Sequence, residues 1–253
     1  MLEVHVLASG SDGNCTVIQL DDEAVMIDAG LSYKYTHKLM EMEGIDESSI
    51  KALLITHEHS DHVAGAGVMA RKLGVPMYCN ANTFMAFDPG KVDWHEIRMM
   101  DSFDLCGMNI IPLPTFHDAA EPCAFMLRSD QGNVLLATDT GKLSFQCEKA
   151  LEEADLAIIE ANYDREMLRD GPYPETLKRR IASEHGHLCN TATADAIRRT
   201  DRDGRKIFLA HLSKNNNTPD IARQTVSDIT GIKRFKIDCL ERLGDTRTLT
   251  VSR

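Results

Sequence analysis

Three histidines and two carboxylates are concentrated within six residues, directly after an apolar run. The stretch LLITHEHSDHVAG at 53–65 places His57, His59, Asp61 and His62 in a His-x-His-x-Asp-His pattern. A helix would present ligands on one face at intervals of three or four residues, so this spacing favours a turn wrapped around a cation. The whole chain has ten histidines, and a packed core has no use for three of them beside an aspartate. The pattern therefore predicts a metal site.

Three later apolar runs also lead into histidine or aspartate, at His117, Asp139 and His211. Ligand sites collect at strand ends because a rigid sheet positions the loop atoms that follow it. Together with the first cluster, these residues supply five imidazoles and two carboxylates without a thiolate, a set that suits Zn, Mn or Fe. Seven ligands exceed one tetrahedral site, so the sequence predicts two divalent metal ions, with zinc favoured and Mn or Fe as alternatives.

The elements that must position these residues alternate between strand-like and helix-like patterns. Short apolar runs predict strands over 4–8, 15–20, 24–27, 52–55, 77–79, 110–112, 125–127, 134–137, 156–159, 207–210 and 248–251. Helical periodicity covers 33–43, 65–73, 83–87, 174–181, 191–199 and 219–230. No linker or low-complexity segment divides the chain, and we expect one α/β domain over 1–253 with sheet layers covered by helices.

Composition and charge limit the function classes. No apolar run is long enough to span a bilayer, and the N-terminus lacks the basic character of a signal peptide, so we expect a cytoplasmic protein without membrane contact. The seven cysteines are scattered and odd in number, which indicates reduced thiols. Net charge is −11, yet residues 1–164 hold 10 Lys and Arg against 27 Asp and Glu, whereas 165–253 hold 18 against 12. The basic half forms either solvated helix faces or a rim that contacts phosphates.

The motif THEHSDH resembles the HxHxDH signature of the metallo-β-lactamase fold superfamily, with the downstream ligands in the family's order. The resemblance implies an αββα four-layer sandwich with a dinuclear site at one edge. It also implies one metal on His57, His59, His117 and Asp139, and a second on Asp61, His62, His211 and the bridging Asp139.

Further segments resemble the YycJ (WalJ) exonuclease group from end to end. They are LASGSDGNCT at 7–16, FHDAAEP at 116–122, GHLCN at 186–190 and HLSKNNNTP at 211–219. Asp139 stands where the true β-lactamases carry cysteine, and the interval from Asp139 to His211 is too short for the inserted domain of RNase J-like enzymes. Cys15 and Cys189 depart from the serines expected at those positions.

The resemblance implies a phosphodiester hydrolase, and a DNA 5′–3′ exonuclease in particular, that uses a metal-bridging hydroxide. We expect Asp61 to orient or deprotonate the attacking water, and His187, just before a predicted helix, to face the leaving oxygen. The loop after the first strand, with Ser9, Ser11 and Asn14, is either a phosphate cradle or a hairpin turn.

Two further residues complete the predicted substrate contacts, Asp118 and Asn162. Asp118 has the alternative role of supporting His117. DNA is the predicted partner, and three other functions use the same motif: hydrolysis of small or cyclic phosphodiesters, hydrolysis of thioesters or lactones, and, least favoured, metal sensing without hydrolysis.

Overall fold

The strands form two seven-stranded sheets in the computed structural model, which describes residues 1–251. The strands are β1 Leu2–Ala8, β2 Cys15–Leu20, β3 Glu23–Ile27, β4 Ile50–Leu54, β5 Met77–Cys79, β6 Trp94–Glu96, β7 Phe103–Leu105, β8 Met108–Pro114, β9 Cys123–Ser129, β10 Gly132–Ala137, β11 Leu156–Glu160, β12 Lys206–Ala210, β13 Ile237–Cys239 and β14 Arg247–Val251. The first sheet has the order β14-β1-β2-β3-β4-β5-β6 and the second has the order β13-β12-β11-β10-β9-β8-β7.

Helices cover the outer face of each sheet. They are α1 Tyr33–Glu43, α2 Ser60–Val63, α3 Ala66–Leu73, α4 Ala81–Ala86, α5 Phe145–Glu153, α6 Arg165–Asp170, α7 Glu175–Ile181, α8 Asn190–Arg199 and α9 Pro219–Thr230. Leu39 of α1 and Met69 of α3 pack on the first sheet, whereas Leu151 of α5 and Val226 of α9 pack on the second. The predicted αββα arrangement is therefore confirmed.

The central core lies between the two sheets. Phe125 and Phe208 of the second sheet are fully buried there against Ile18 and Leu54 of the first. Burying each such side chain contributes roughly 1.5–3 kcal/mol. Because each sheet is covered on both faces, its strands consist of nearly continuous apolar runs, which is why all eleven runs noted in the sequence form strands.

The parallel strands place the metal-binding side chains at one edge of each sheet. In the first sheet β3 runs parallel to β4, and in the second β10, β11 and β12 run parallel to one another. Parallel strands bring their carboxyl ends to the same edge. The segments after β4, β10 and β12 therefore converge.

Three of the residues that directly follow strands have a left-handed backbone and lie where the predicted ligands converge. Asp28 after β3, Asp139 after β10 and His211 after β12 have φ angles of 60°, 54° and 53°. This conformation is uncommon for residues other than glycine and is concentrated at functional sites. In each case it turns the chain sharply as it leaves the sheet.

The seven cysteines are all buried and free, as the sequence predicts. In the described part of the chain, no helix is both long and apolar enough to cross a membrane.

Candidate metal centre

Three histidines converge at the end of the first sheet and the adjoining edge of the second. His57, His59 and His117 each offer a ring nitrogen, and these atoms lie within 4.8 Å of one another. His59 Nδ1 lies 3.2 Å from His117 Nε2. His57 and His59 are in the turn after β4, whereas His117 follows β8. The group therefore joins both sheets.

A second group forms beside the first from Asp61, His62 and His211. Oδ2 of Asp61 is 3.4 Å from His211 Nε2 and 3.6 Å from His62 Nε2. Asp139 lies between the two groups, with Oδ2 at 3.1 Å from His62 Nε2 and Oδ1 at 3.8 Å from His117 Nε2. The structure thus brings together all seven side chains that the sequence singled out as ligands.

Two buried atoms of this cluster are without a hydrogen-bond partner within residues 1–251. They are His57 Nε2 and Asp139 Oδ2. A buried polar atom left unsatisfied costs about 1–3 kcal/mol, and both atoms face the other ligands. The donor set and these two unpaired atoms fit divalent metal ions, which would bind to a lone pair on each atom.

The carboxylate of Asp28 supports His62 directly and His57 through the hydroxyl of Thr56. Its Oδ2 accepts a hydrogen bond from His62 Nδ1 at 2.8 Å and another from the Thr56 hydroxyl at 2.9 Å. His57 Nδ1 lies 3.0 Å from that hydroxyl, so it donates to Thr56. These bonds favour a proton on Nδ1 of both rings, which makes Nε2 the nitrogen of each ring that a metal would bind.

Glu160 supports two histidines on the opposite side. It is fully buried at the end of β11, and its Oε1 accepts hydrogen bonds from Nδ1 of His187 at 2.8 Å and of His211 at 2.9 Å. Its Oε2 accepts from the backbone N–H groups of Thr140 and Leu188. All its bonds orient neighbours, so Glu160 is a positioning residue.

The charges of the cluster shift the pKa values of its members in opposite directions. Burial alone would raise the pKa of Asp139, but the imidazoles of His211 and His62 hold it well below its usual range. Burial alone would lower the pKa of His62, yet Asp139 and Asp28 raise it to about 10. Burial and the neighbouring His62 keep the pKa of His57 well below its usual value. The carboxylates are therefore ionised and available as ligands.

A cavity of about 250 Å³ opens directly onto the cluster. His187, Asp118, Asn162 and Ser11 line it together with five of the predicted ligands, which are His59, Asp61, His117, Asp139 and His211. The side chain of His187 is 21% exposed and its ring centroid lies 5.1 Å from that of His117.

Other residues predicted to contact substrate hold the site together in this structure. The Ser9 hydroxyl accepts a hydrogen bond from the His211 backbone at 2.8 Å. Asn14 is buried, and its amide nitrogen lies 3.2 Å from Asp61 Oδ2. Asn162 donates to the carbonyl of His211 at 2.9 Å, while Asp118 binds Arg180. Ser11 and Asp118 are the exposed members of this set.

Sequence reasoning did not single out Asp28 or Thr56, and it did not predict the hydrogen bonds that Glu160 makes. A signal for two of them was present. Asp28 directly follows an apolar run and Glu160 ends another, which is the same pattern that identified Asp139 and His211.

Comparisons with known proteins find a family and close relatives. A family described as the beta-lactamase superfamily domain matches residues 23–212. The chain is 37% identical to exodeoxyribonuclease YycJ of Bacillus anthracis, covering 97% of this chain and 95% of that one. It is 39% identical to exodeoxyribonuclease WalJ of Streptococcus pneumoniae, covering 87% of this chain and 85% of the relative. The zinc-bound structure of PqqB from Methylobacterium extorquens shares the fold, with a TM-score of 0.75, 15% identity, and coverage of 98% and 100% of the two chains.

Proposed function

The chain belongs to the beta-lactamase superfamily, in the family of the exodeoxyribonucleases YycJ and WalJ, and on this premise we propose that it is a metal-dependent exodeoxyribonuclease. The observation that carries the proposal is the convergence of seven histidine and aspartate side chains from two sheets on one cavity. Identity of 37% to YycJ along 97% of the chain supports the same reaction class. The proposal takes residues 1–253 as one domain, because the ligands come from both halves of the sandwich.

The seven ligands divide between two metal positions in the proposed enzyme. His57, His59 and His117 would hold one ion, Asp61, His62 and His211 would hold the other, and the carboxylate of Asp139 lies close enough to both groups to serve either ion. Divalent ions there supply Lewis acidity, which lowers the pKa of a bound water and offsets negative charge on the phosphate. Zinc is the proposed ion, since imidazole and carboxylate ligands suit it, and Mn and Fe share that ligand preference.

Asp61 has two functions in this proposal. It binds a metal through Oδ2, and it orients the attacking water or accepts its proton. Asn14 and His211 support this arrangement, because both place hydrogen-bonding atoms within 3.4 Å of Asp61 Oδ2. The carboxylate therefore has a fixed orientation toward the cavity. Although burial opposes ionisation, the His211 hydrogen bond lowers the pKa of Asp61, so the carboxylate is ionised and can accept a hydrogen bond from the water.

His187 donates a proton to the leaving oxygen. Its Nδ1 is bonded to Glu160, which leaves Nε2 as the atom available to the cavity. Although burial opposes protonation, Glu160 and Asp139 raise the pKa of His187, so the imidazolium is favoured before turnover. A donor at this position contributes typically about 100- to 10,000-fold to a rate.

DNA digested from its 5′ end is the substrate proposed for this site, and the cytoplasm is the proposed location. The relatives that support this choice are named exodeoxyribonucleases. A second candidate, hydrolysis of small phosphodiesters, is favoured by the sparse positive charge at the cavity. Arg180 is the one Lys or Arg that lines it in the described chain.

A direct assay separates the two candidates. End-labelled DNA with either a 5′-phosphate or a 5′-hydroxyl is digested in parallel with bis-p-nitrophenyl phosphate, and products are resolved by length. Stepwise loss of nucleotides from the 5′ end is the expected result. Turnover of bis-p-nitrophenyl phosphate with intact DNA would instead establish the small-substrate function.

A further inference from the structure

Helix α7 carries one arginine into the metal cavity. Arg180 lies in the last turn of α7 and lines the cavity with His117 and His187. Its side chain is 61% exposed, so the guanidinium is in contact with both the cavity and the solvent. An incoming polyanion would meet this group at the cavity entrance.

The guanidinium of Arg180 uses only part of its hydrogen-bonding capacity. Its Nε donates to Asp118 Oδ2 at 2.6 Å, and within residues 1–251 neither terminal NH₂ group donates to a protein atom. A guanidinium has five N–H donors in a planar fork that fits two phosphate oxygens. The terminal NH₂ groups of Arg180 can therefore contact an incoming phosphate while Nε is still bonded to Asp118, which is the first step of an exchange.

Asp118 separates this guanidinium from the metal-binding histidines. Its Oδ1 is 3.5 Å from His117 Nε2, and its side chain is 34% exposed. Asp118 belongs to none of the groups that can hold a metal. An unpaired carboxylate there would repel a phosphate that approaches the site. In the structure Asp118 thus occupies the partner position that a phosphate would take.

Close backbone packing fixes the segment that carries Arg180. A Cβ at Gly186 would lie 2.2 Å from the carbonyl oxygen of Arg180, and one at Gly141 would lie 2.3 Å from that of Ser183. His117 Nδ1 donates to the carbonyl of Gly186 at 3.1 Å. The end of α7 is therefore connected to a metal ligand, and the position of Arg180 is set relative to the site.

The neighbouring basic residues have other partners and lie outside the cavity lining. Lys178 donates to the carbonyl of Arg169 and Arg179 donates to the carbonyl of Glu175. Farther along the basic half, Arg199 pairs with Glu148 at 2.6 Å. Most of the basic side chains noted in the sequence therefore have partners on helix faces. Arg180 is the one Lys or Arg in the cavity lining of the described chain.

The geometry points to Arg180 as the residue that binds a phosphate flanking the scissile one, exchanging Asp118 for that phosphate when DNA enters. A flanking phosphate fits because the Asp118 carboxylate lies between the guanidinium and the metal-binding rings. The inference rests on the proposed function, since it requires a substrate with more than one phosphate. It assigns Asp118 as a competitor of the substrate and not as a contact for it.

Binding of a nuclease-resistant strand to the metal-loaded protein tests this exchange. The probe is a phosphorothioate-linked single-stranded oligonucleotide with a 5′-phosphate and a 3′ fluorophore, followed by anisotropy across a salt series. We expect Arg180→Gln to weaken binding about tenfold, as for loss of one charge-assisted contact. The slope of log affinity against log salt falls by about 0.7, the value for one phosphate contact on a single strand. Arg180→Lys retains part of the affinity.

Arg179→Gln is the matched control, since it removes the same charge from the adjacent position on the same helix. We expect its affinity and salt slope to equal those of the wild type. Asp118→Asn should tighten binding several-fold in the wild-type background, because it releases the guanidinium, and by a smaller factor in the Arg180→Gln background, where it removes only the repulsion by the carboxylate. A larger effect of Asp118→Asn in the wild-type background than in the Arg180→Gln background distinguishes exchange of Asp118 for a phosphate from a general effect of charge on binding.

Several results would overturn the inference. Equal affinities for the Arg179 and Arg180 variants would exclude a phosphate contact by Arg180. Weaker binding by Asp118→Asn in the wild-type background would show that Asp118 does not compete with substrate. A wild-type protein that hydrolyses bis-p-nitrophenyl phosphate but binds no oligonucleotide would overturn the proposed function, and this inference with it.

Discussion

The Nδ1 atom of His187 lies 2.8 Å from Oε1 of Glu160, a carboxylate with no exposure to solvent. The same oxygen accepts a second hydrogen bond, from His211. One buried anion therefore orients both the proposed proton donor and a proposed metal ligand, with Nε2 of each ring directed away from it. Catalysis and metal binding are linked through Glu160.

Replacing His187 by glutamine should slow DNA hydrolysis about 100- to 10,000-fold, the usual contribution of a general acid. Metal content should be unchanged, because His187 binds no metal in this scheme. The loss should be much smaller with bis-p-nitrophenyl phosphate, whose leaving group needs little protonation. Steady-state rates on both substrates and elemental analysis provide the measurements.

The exposed His185, two residues away, supplies a control for this variant. His185→Gln should retain the wild-type rate on both substrates. An equal loss on both substrates in His187→Gln would show that the histidine does not protonate the leaving group.

Replacing Asp61 by alanine should reduce hydrolysis at least about a thousandfold, because the change removes both a metal ligand and the orienting carboxylate. Circular dichroism should show an intact fold. Glu58→Ala is a control within the same motif, since that carboxylate accepts a hydrogen bond from the Ala120 backbone instead of facing the ligands. Wild-type turnover by purified Asp61→Ala would contradict the mechanism.

Replacing Asp28 by asparagine should weaken metal binding about 10- to 100-fold, the usual cost of removing a group that orients a metal-bound histidine. Competition with a chelator of known affinity measures the change. Asp22→Asn, an exposed carboxylate in the turn before β3, should leave the affinity unaltered. If both variants bound metal equally well, Asp28 would have no part in orienting His62.

Metal binding should strengthen as the pH rises toward about 10. Asp139 and Asp28 raise the pKa of His62 to about 10 against the effect of burial, and nearby carboxylates raise that of His211. Both rings therefore hold an extra proton at neutral pH without metal, and a metal must displace it. For each proton that the metal displaces, the apparent affinity for the metal should rise about tenfold per pH unit. This holds at pH values below the raised pKa.

Calorimetric titration with zinc in two buffers of different ionisation enthalpy counts the protons released at pH 7.5. Release of at least one proton is expected, and fewer should be released by Asp28→Asn, because His62 then loses a carboxylate that holds its proton. Zinc binding without proton release would show that both rings are neutral in the metal-free protein.

The sequence was sufficient to predict which seven side chains converge, because each predicted ligand follows a buried strand or stands in one compact motif. His117, Asp139 and His211 all lie just beyond an apolar run, and sheet edges bring such positions together. The strands missed were β6, β7 and β13, each three residues long at or near a sheet edge. Runs this short contain too few residues to show a period.

The hydrogen bonds and ion pairs around the predicted ligands could not be predicted in the same way. Arg180 and Asp118 are 62 positions apart, and neither follows a pattern that points to the other. Glu160 carried the strand-end signal, but its two hydrogen-bonded histidines come from separate loops. Such contacts depend on loop conformations that local residue patterns do not specify.

Neither sheet holds a complete set of ligands. His57, His59, Asp61 and His62 follow β4 of the first sheet, whereas His117, Asp139 and His211 follow strands of the second. A chain still being synthesised lacks His211 until its last strands emerge, so it cannot hold both ions. The predicted set of seven ligands is therefore assembled only after the strands of both sheets have formed and packed, so folding of the whole sandwich precedes assembly of the site.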